Sequence, residues 1–139
     1  MMQENLFPDP AALHSKVIQR RQDFDALFDG FARLRAVSYV VSPELLLDFL
    51  NKRGYEALEV VVGENLAEAY QQELAQKGAD LTQQLAERLE KGTLRILIPD
   101  RTLHTKLYIL ERPSQCRVIA TSANLTLTAI APKLISRRT

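Results

Sequence analysis

The 139-residue chain has no tryptophan, one cysteine, two histidines, two methionines and five glycines. A single thiol, Cys116, cannot close an internal disulfide, and that usage points to a reducing compartment. Cys116 itself reads as a small strand residue rather than a reactive thiol. The few histidines and the lone cysteine never cluster with acids at metal-ligand spacing, so neither a metal nor another cofactor is expected. No long apolar run occurs, and the opening MMQENLFPDP lacks the charged-then-apolar pattern of a signal peptide. These absences exclude a disulfide-stapled secreted scaffold and a membrane-spanning or membrane-bound protein. The expectation is a cytoplasmic protein. No internal repeat or low-complexity segment is visible.

What is present is an ordinary globular balance, 46% hydrophobic and 25% charged, at a length suited to one domain with a real core. The net charge of +1 hides an asymmetry. Residues 101–139 hold seven bases (Arg101, Lys106, Arg112, Arg117, Lys133, Arg137, Arg138) against one acid, Glu111, a balance of +6 that leaves −5 for the first hundred residues. If those bases gather in space they steer a polyanion toward that end of the chain. The plainer reading is that they are simply solvated.

Residues 1–10, with two prolines, read as a flexible leader. Over residues 11–34 apolar side chains recur at helical spacing (Leu13, Val17, Phe24, Leu27, Phe28, Phe31, Leu34), interrupted at Gly30. Residues 36–41 predict a first strand. Ser42, Pro43 and Glu44 then read as an N-cap, a proline at N1 and an acid in the first turn of a helix reaching Arg53, which Gly54 ends. Residues 57–62 predict a second strand, apolar enough for a sheet covered on both faces. Gly63 leads into a polar helical stretch over 64–90, with Gly78 as the place for a break and Gly92 as its end. Residues 93–98 predict a third strand, and Pro99 and Asp100 a turn. A helix starting near Leu125, with Asn124 or Thr126 at its cap, is limited by Pro132.

The stretch 103–126, LHTKLYILERPSQCRVIATSANLT, carries the chemistry. Apolar runs at 107–110 and 118–120 flank a polar break with Pro113 and Ser114, which reads as a β-hairpin. His104 and Lys106 are two residues apart, so an extended chain sends both side chains from one face. Thr121, Ser122 and Asn124 follow the second strand, and hairpin closure brings them beside the first pair. An imidazole, an ammonium, a hydroxyl and an amide on one rim suit a phosphate. Spacing alone decides little. With 6 lysines in 139 residues, a lysine two places after a histidine arises by chance in roughly 1 case in 23. His14 and Lys16 form such a pair without the following strand, acid or Ser-x-Asn partner, and read as a solvated helix face. The bland reading of His104 and Lys106 is an exposed strand edge. For Ser122 and Asn124 it is a turn and a helix cap.

Taken together, His104-Thr105-Lys106, the four residues to Leu110, Glu111, a nine-residue gap and Thr121-Ser122-Ala123-Asn124 resemble the motif of the phospholipase D superfamily of phosphodiesterases. The motif covers about two dozen residues, and the order of strands and helices upstream resembles one half of that fold. Three departures stand out. Glu111 replaces the family's aspartate, and Thr121 its glycine. The hairpin loop is about three residues longer, which surface loops tolerate.

Strand, helix, strand, helix, strand and hairpin make an α/β layer fold, a mixed sheet of five or more strands flanked by helices. Residues 11–139 then form a single phospholipase D-like half-domain, read also as the N-terminal part of a larger protein. The resemblance implies that one motif is half an active site, completed by a homodimer or a second half-domain. It implies metal-independent phosphodiester hydrolysis through a phosphohistidine on His104, with His104 of a second chain as acid. Lys106, Ser122 and Asn124 hold the non-bridging oxygens, Glu111 orients, and Thr121 and Arg101 contact substrate. Nucleic acid is the expected partner, DNA before phospholipid, since no amphipathic membrane element is evident. The alternative is a weak or inactive DNA-binding or dimerisation module attached to a helicase or restriction-type protein, which Thr121 and Glu111 favour.

Overall fold

Along residues 33–38 every second side chain is apolar or small, and that period of two builds the middle strand of the sheet. The computed structural model of the chain describes residues 18, 20–63, 72, 75 and 78–126. In it β1 (Arg33–Ser38) buries Leu34, Ala36 and Ser38 and turns Arg33 and Arg35 outward. The strand therefore starts three residues before the β-branched run that predicted it. Phe24, Phe28, Phe31 and Leu34, read as one helical face, are all buried. Among the described residues of that stretch only α1 (Arg21–Ala26) is helical, however, and Leu34 lies in the strand. Gly30 takes a φ of 83° at the change of direction. The leader and the periodic residues Leu13 and Val17 lie outside the described residues, as do His14 and Lys16.

Proline at N1 and Glu44 in the first turn open α2 (Pro43–Asn51) as expected, although Ser42 makes no side-chain capping bond. Next come β2 (Ala57–Val62), α3 (Ala79–Lys91) and β3 (Leu94–Leu97). Gly78 breaks the long polar stretch at φ 95°, and Gly92 ends α3 in the left-handed region at φ 80°. The hairpin consists of β4 (Leu107–Arg112) and β5 (Gln115–Ala120), longer than its apolar runs. Its turn is Pro113-Ser114, with Ser114 at φ 63°.

The five strands form one mixed sheet in the order β3-β2-β1-β4-β5. β1, β2 and β3 are parallel, and β4 and β5 run antiparallel to their neighbours. Both parallel crossovers step the same way across the sheet, and right-handed crossovers then put α2 and α3 on one face. Asn51 and Gln84 join the two helices by a hydrogen bond of 3.2 Å. α1 packs on that face too, with Phe24 and Phe28 against Tyr108 and Phe28 edge-on to Phe49. Beneath it Arg53, 2% exposed, pairs with Asp25, with Asp29 at 3.3 Å and with Asp48 at 3.1 Å. A buried guanidinium needs such partners.

The fold class is thus the one expected. Among the described residues only one face of the sheet is packed. On the other, Leu97, Val61, Val37, Leu107 and Ala120 stand in register as an apolar row. Among the described residues no helix is long and apolar enough to cross a membrane.

Gly63 ends β2 in a close approach rather than a simple turn. A Cβ there would lie 1.9 Å from the carbonyl oxygen of Leu103. Its amide donates to Ser38 O at 2.8 Å, and its carbonyl accepts from Leu103 N at 3.2 Å. Gly63→Ala must therefore push back the segment that leads into His104. The expected loss is about 2–3 kcal/mol, at the upper end for overpacking, read as an earlier urea midpoint at unchanged slope.

Candidate functional site

Antiparallel pairing of β4 with β1 puts the start of β4 at the carboxyl end of β1, and β5 returns to the same end. The crevice beyond the carboxyl ends of parallel strands is where open α/β sheets place their ligand groups. Here the segment before β4 crosses Gly63, and Thr121 N reaches Lys106 O at 3.5 Å. His-x-Lys and Ser-x-Asn thus reach one rim from two sides of the hairpin.

Asn124 locks the second limb to the end of β1. Its Oδ1 accepts from Tyr39 N at 3.1 Å and Val40 N at 3.2 Å. The Ser38 hydroxyl donates to Val40 O at 2.6 Å, with Asn124 Oδ1 a longer second acceptor at 3.3 Å. Fully buried, Ser38 also accepts from Leu125 N at 2.9 Å. Ser42 N donates to Leu125 O, and Val41 and Leu125 form a parallel bridge, so residues 121–126 run along the extension of β1. From below, the Tyr108 hydroxyl donates to Ala123 O at 2.6 Å. With its oxygen committed, Asn124 keeps Nδ2 as a donor that no described residue accepts from. The Ser122 side chain is exposed and also makes no hydrogen bond among the described residues.

On the first limb His104 is exposed, and its ring nitrogens meet no partner among the described residues. The imidazole lies flat on Tyr39, centroids 4.4 Å apart and planes 19° from parallel. Lys106 Nζ donates to His104 O at 2.9 Å and stands 5.9 Å from the Tyr39 centroid. The rim therefore offers an accessible imidazole, a nearby ammonium, an amide donor and a hydroxyl. Such a set can hold an oxyanion and supply or take a proton.

Other expected members stand elsewhere. Glu111 lies five residues along β4 from Lys106, about 16 Å away by strand rise and on the opposite face. There it pairs loosely with Arg35 at 3.7 Å. It bonds to no backbone group at the rim, so the orienting role does not operate within one chain. Thr121 Oγ1 accepts from Ala123 N at 3.0 Å and shapes the turn. Ser114 is the one non-glycine with positive φ among the described residues, so Thr121 stands in ordinary backbone. Arg101 reaches Asp100 at 3.7 Å, both strongly exposed, without touching His104 or Lys106.

Nor do Arg112 and Arg117 join Lys106 at the rim. Arg112 donates to Gly30 O and Arg117 to Leu27 O, and both guanidinium groups cover the Phe31 ring at about 5 Å. They close the end of α1, where a cation meets free carbonyls. Lys133, Arg137 and Arg138 lie outside the described residues, as does the expected helix beyond Thr126.

Sequence reasoning missed Ser38, Tyr39 and Gly63. Only the serine carried a signal, as a hydroxyl at an inward position of an otherwise apolar strand. Among the described residues no group of three or more His, Cys, Asp or Glu side chains is placed to hold a metal ion. No protein-family model matches the chain, and no curated protein matches it either.

Asn124 has two jobs that substitution can separate. Asn124→Ala leaves the amides of Tyr39 and Val40 without their acceptor and is expected to cost about 2–3 kcal/mol. Asn124→Asp keeps the acceptor, so stability stays within about 1 kcal/mol of the native protein. It also removes the Nδ2 donors from the rim, and urea midpoints of the two variants check the difference in stability.

Burial pushes the Tyr108 phenol up to about 12, against a smaller opposing effect of the nearby Ser38 side chain. The neutral form is the one that fits, so its contribution is complete below pH 10, where the unfolded phenol begins to ionise. It is lost as pH rises toward 12, a change of about 3 kcal/mol. Burial raises Tyr55 as well, in the same direction. Urea unfolding between pH 9 and 11.5 should show this decline, and Tyr108→Phe should flatten its share (approximate range set by the phenol's ordinary value).

Proposed function

We propose that this rim is one half of a phospholipase D-like phosphodiesterase site that cleaves nucleic acid, with DNA favoured, and that a second copy of the chain supplies the other half. The observation that carries the reading is the convergence of His104, Lys106, Ser122 and Asn124 on one end of the sheet, with the imidazole exposed. A neutral imidazole nitrogen of one His104 attacks phosphorus, and the bond from phosphorus to the leaving oxygen breaks. The imidazolium of the other His104 gives that oxygen its proton. Water then attacks phosphorus and gives a proton to the second imidazole as the phosphorus–nitrogen bond to the first His104 breaks, which restores both groups. Lys106, Asn124 Nδ2 and Ser122 Oγ donate to the non-bridging oxygens as charge builds there. The bases supply the positive charge, so the scheme needs no cofactor.

A second reading, a DNA-binding or dimerisation module without turnover, draws on Lys106. Its ammonium is engaged by His104 O, and a phosphate must compete for it.

Cleavage of DNA in excess EDTA, compared with His104→Ala, tests the enzyme reading. Activity should survive chelation and fall on the order of 10³-fold or more in the variant. Cleavage that persists without His104 overturns it, and DNA binding without cleavage favours the module. Mass measurement in solution should give a dimer, since a monomer cannot pair its histidines.

A further inference from the structure

Tyr39 sits where the two limbs of the rim meet. Its amide N–H is held by Asn124 Oδ1, which fixes the backbone at the end of β1. Its ring lies under the His104 imidazole and within reach of the Lys106 ammonium. One residue thus meets three of the four rim side chains, Asn124 by its backbone and His104 and Lys106 by its ring. His104 itself precedes β4 in a segment without regular structure, and its ring has no hydrogen-bond partner among the described residues. Stacking on Tyr39 is therefore the contact that selects one imidazole orientation. Near-parallel planes at this separation are a favourable aromatic arrangement. A protonated imidazole or an ammonium gains further from the electron-rich face.

We infer that Tyr39 is a positioning residue for the nucleophile: its ring sets the plane of His104 and keeps Lys106 beside it, while its backbone ties that geometry to Asn124. This rests on the phosphodiesterase reading for its kinetic consequence, whereas the stacking itself does not. The phenolic oxygen has no part in it, so the aromatic face alone is required. Phenylalanine should therefore serve, and alanine should not. Neither change disturbs the bond from the residue 39 amide to Asn124, so both variants retain the fold.

Proton NMR of the imidazole resonances provides the first measurement. The chain has two histidines, and the His104 signal is the one absent from His104→Ala. A ring held over the face of Tyr39 has its protons shifted upfield by the aromatic current. That shift should persist in Tyr39→Phe and vanish in Tyr39→Ala. The second measurement is steady-state cleavage of an oligonucleotide. Tyr39→Ala should lower kcat about tenfold with KM changed less than about twofold, the pattern of a misplaced nucleophile, and Tyr39→Phe should restore it. An unmoved His104 resonance in Tyr39→Ala overturns the inference. So does a rise in KM at constant kcat, or a phenylalanine variant as slow as the alanine one. If the native protein cleaves no phosphodiester, the catalytic reading falls, and the resonance alone decides whether Tyr39 sets the imidazole plane.

Discussion

One carboxamide oxygen holds the rim together. Asn124 Oδ1 accepts two successive backbone amides where β1 gives out, a place at which a parallel sheet would otherwise leave N–H groups without partners. Ser38 completes the junction from inside by bonding Val40 O and Leu125 N. The segment after the hairpin is thereby forced to run beside the extension of β1. Removing either side chain strands amides that are partly or wholly buried, and that is costlier than the net worth of the bonds themselves. The geometry of the candidate site is thus a by-product of satisfying the ends of a strand.

The rest follows from direction. A hairpin attached antiparallel to the middle strand returns both its ends to the carboxyl side of that strand. Residues 14 or more apart in sequence, such as Lys106 and Thr121, then become neighbours. Gly63 adjusts the height of the first limb, because a side chain there would occupy the position of the Leu103 carbonyl. The sheet supplies rigidity below and the rim supplies exposed polar groups above, a division that suits a site on a firm scaffold.

Much of the fold could be read from residues alone, since β2, α2 and the ends of α3 carry strong local signals. Pro43, Gly78 and Gly92 mark their boundaries for reasons of backbone geometry. β1 was misplaced because Arg33 and Arg35 hide an alternating strand behind a run of aromatic residues at helical spacing. The placement of His104, Lys106 and Asn124 at one end followed from hairpin logic. Tyr39 could not, because its role depends on a contact made 65 residues away. The basic C-terminal third misled in part. Composition cannot tell a guanidinium that closes a helix end, as Arg112 and Arg117 do, from one that meets a ligand.

Glu111 shows how strand parity sorts residues that a linear motif groups together. Counting from Lys106, an even step along β4 reaches Tyr108 and Leu110, both buried beneath the helices. An odd step reaches Glu111, which faces Arg35 on the open side of the sheet. No rotamer of a side chain one methylene longer than aspartate spans the roughly 16 Å back to the rim. The acid therefore cannot polarise an imidazole or meet a phosphate within its own chain, whichever carboxylate stands there. Its exposed pair with Arg35 contributes little to stability. Whatever Glu111 contributes within one chain, it contributes on the uncovered face of the sheet. Thr121 stands apart from that face, at the turn after β5, where its Oγ1 accepts from Ala123 N and so shapes the backbone that carries Ser122 and Asn124.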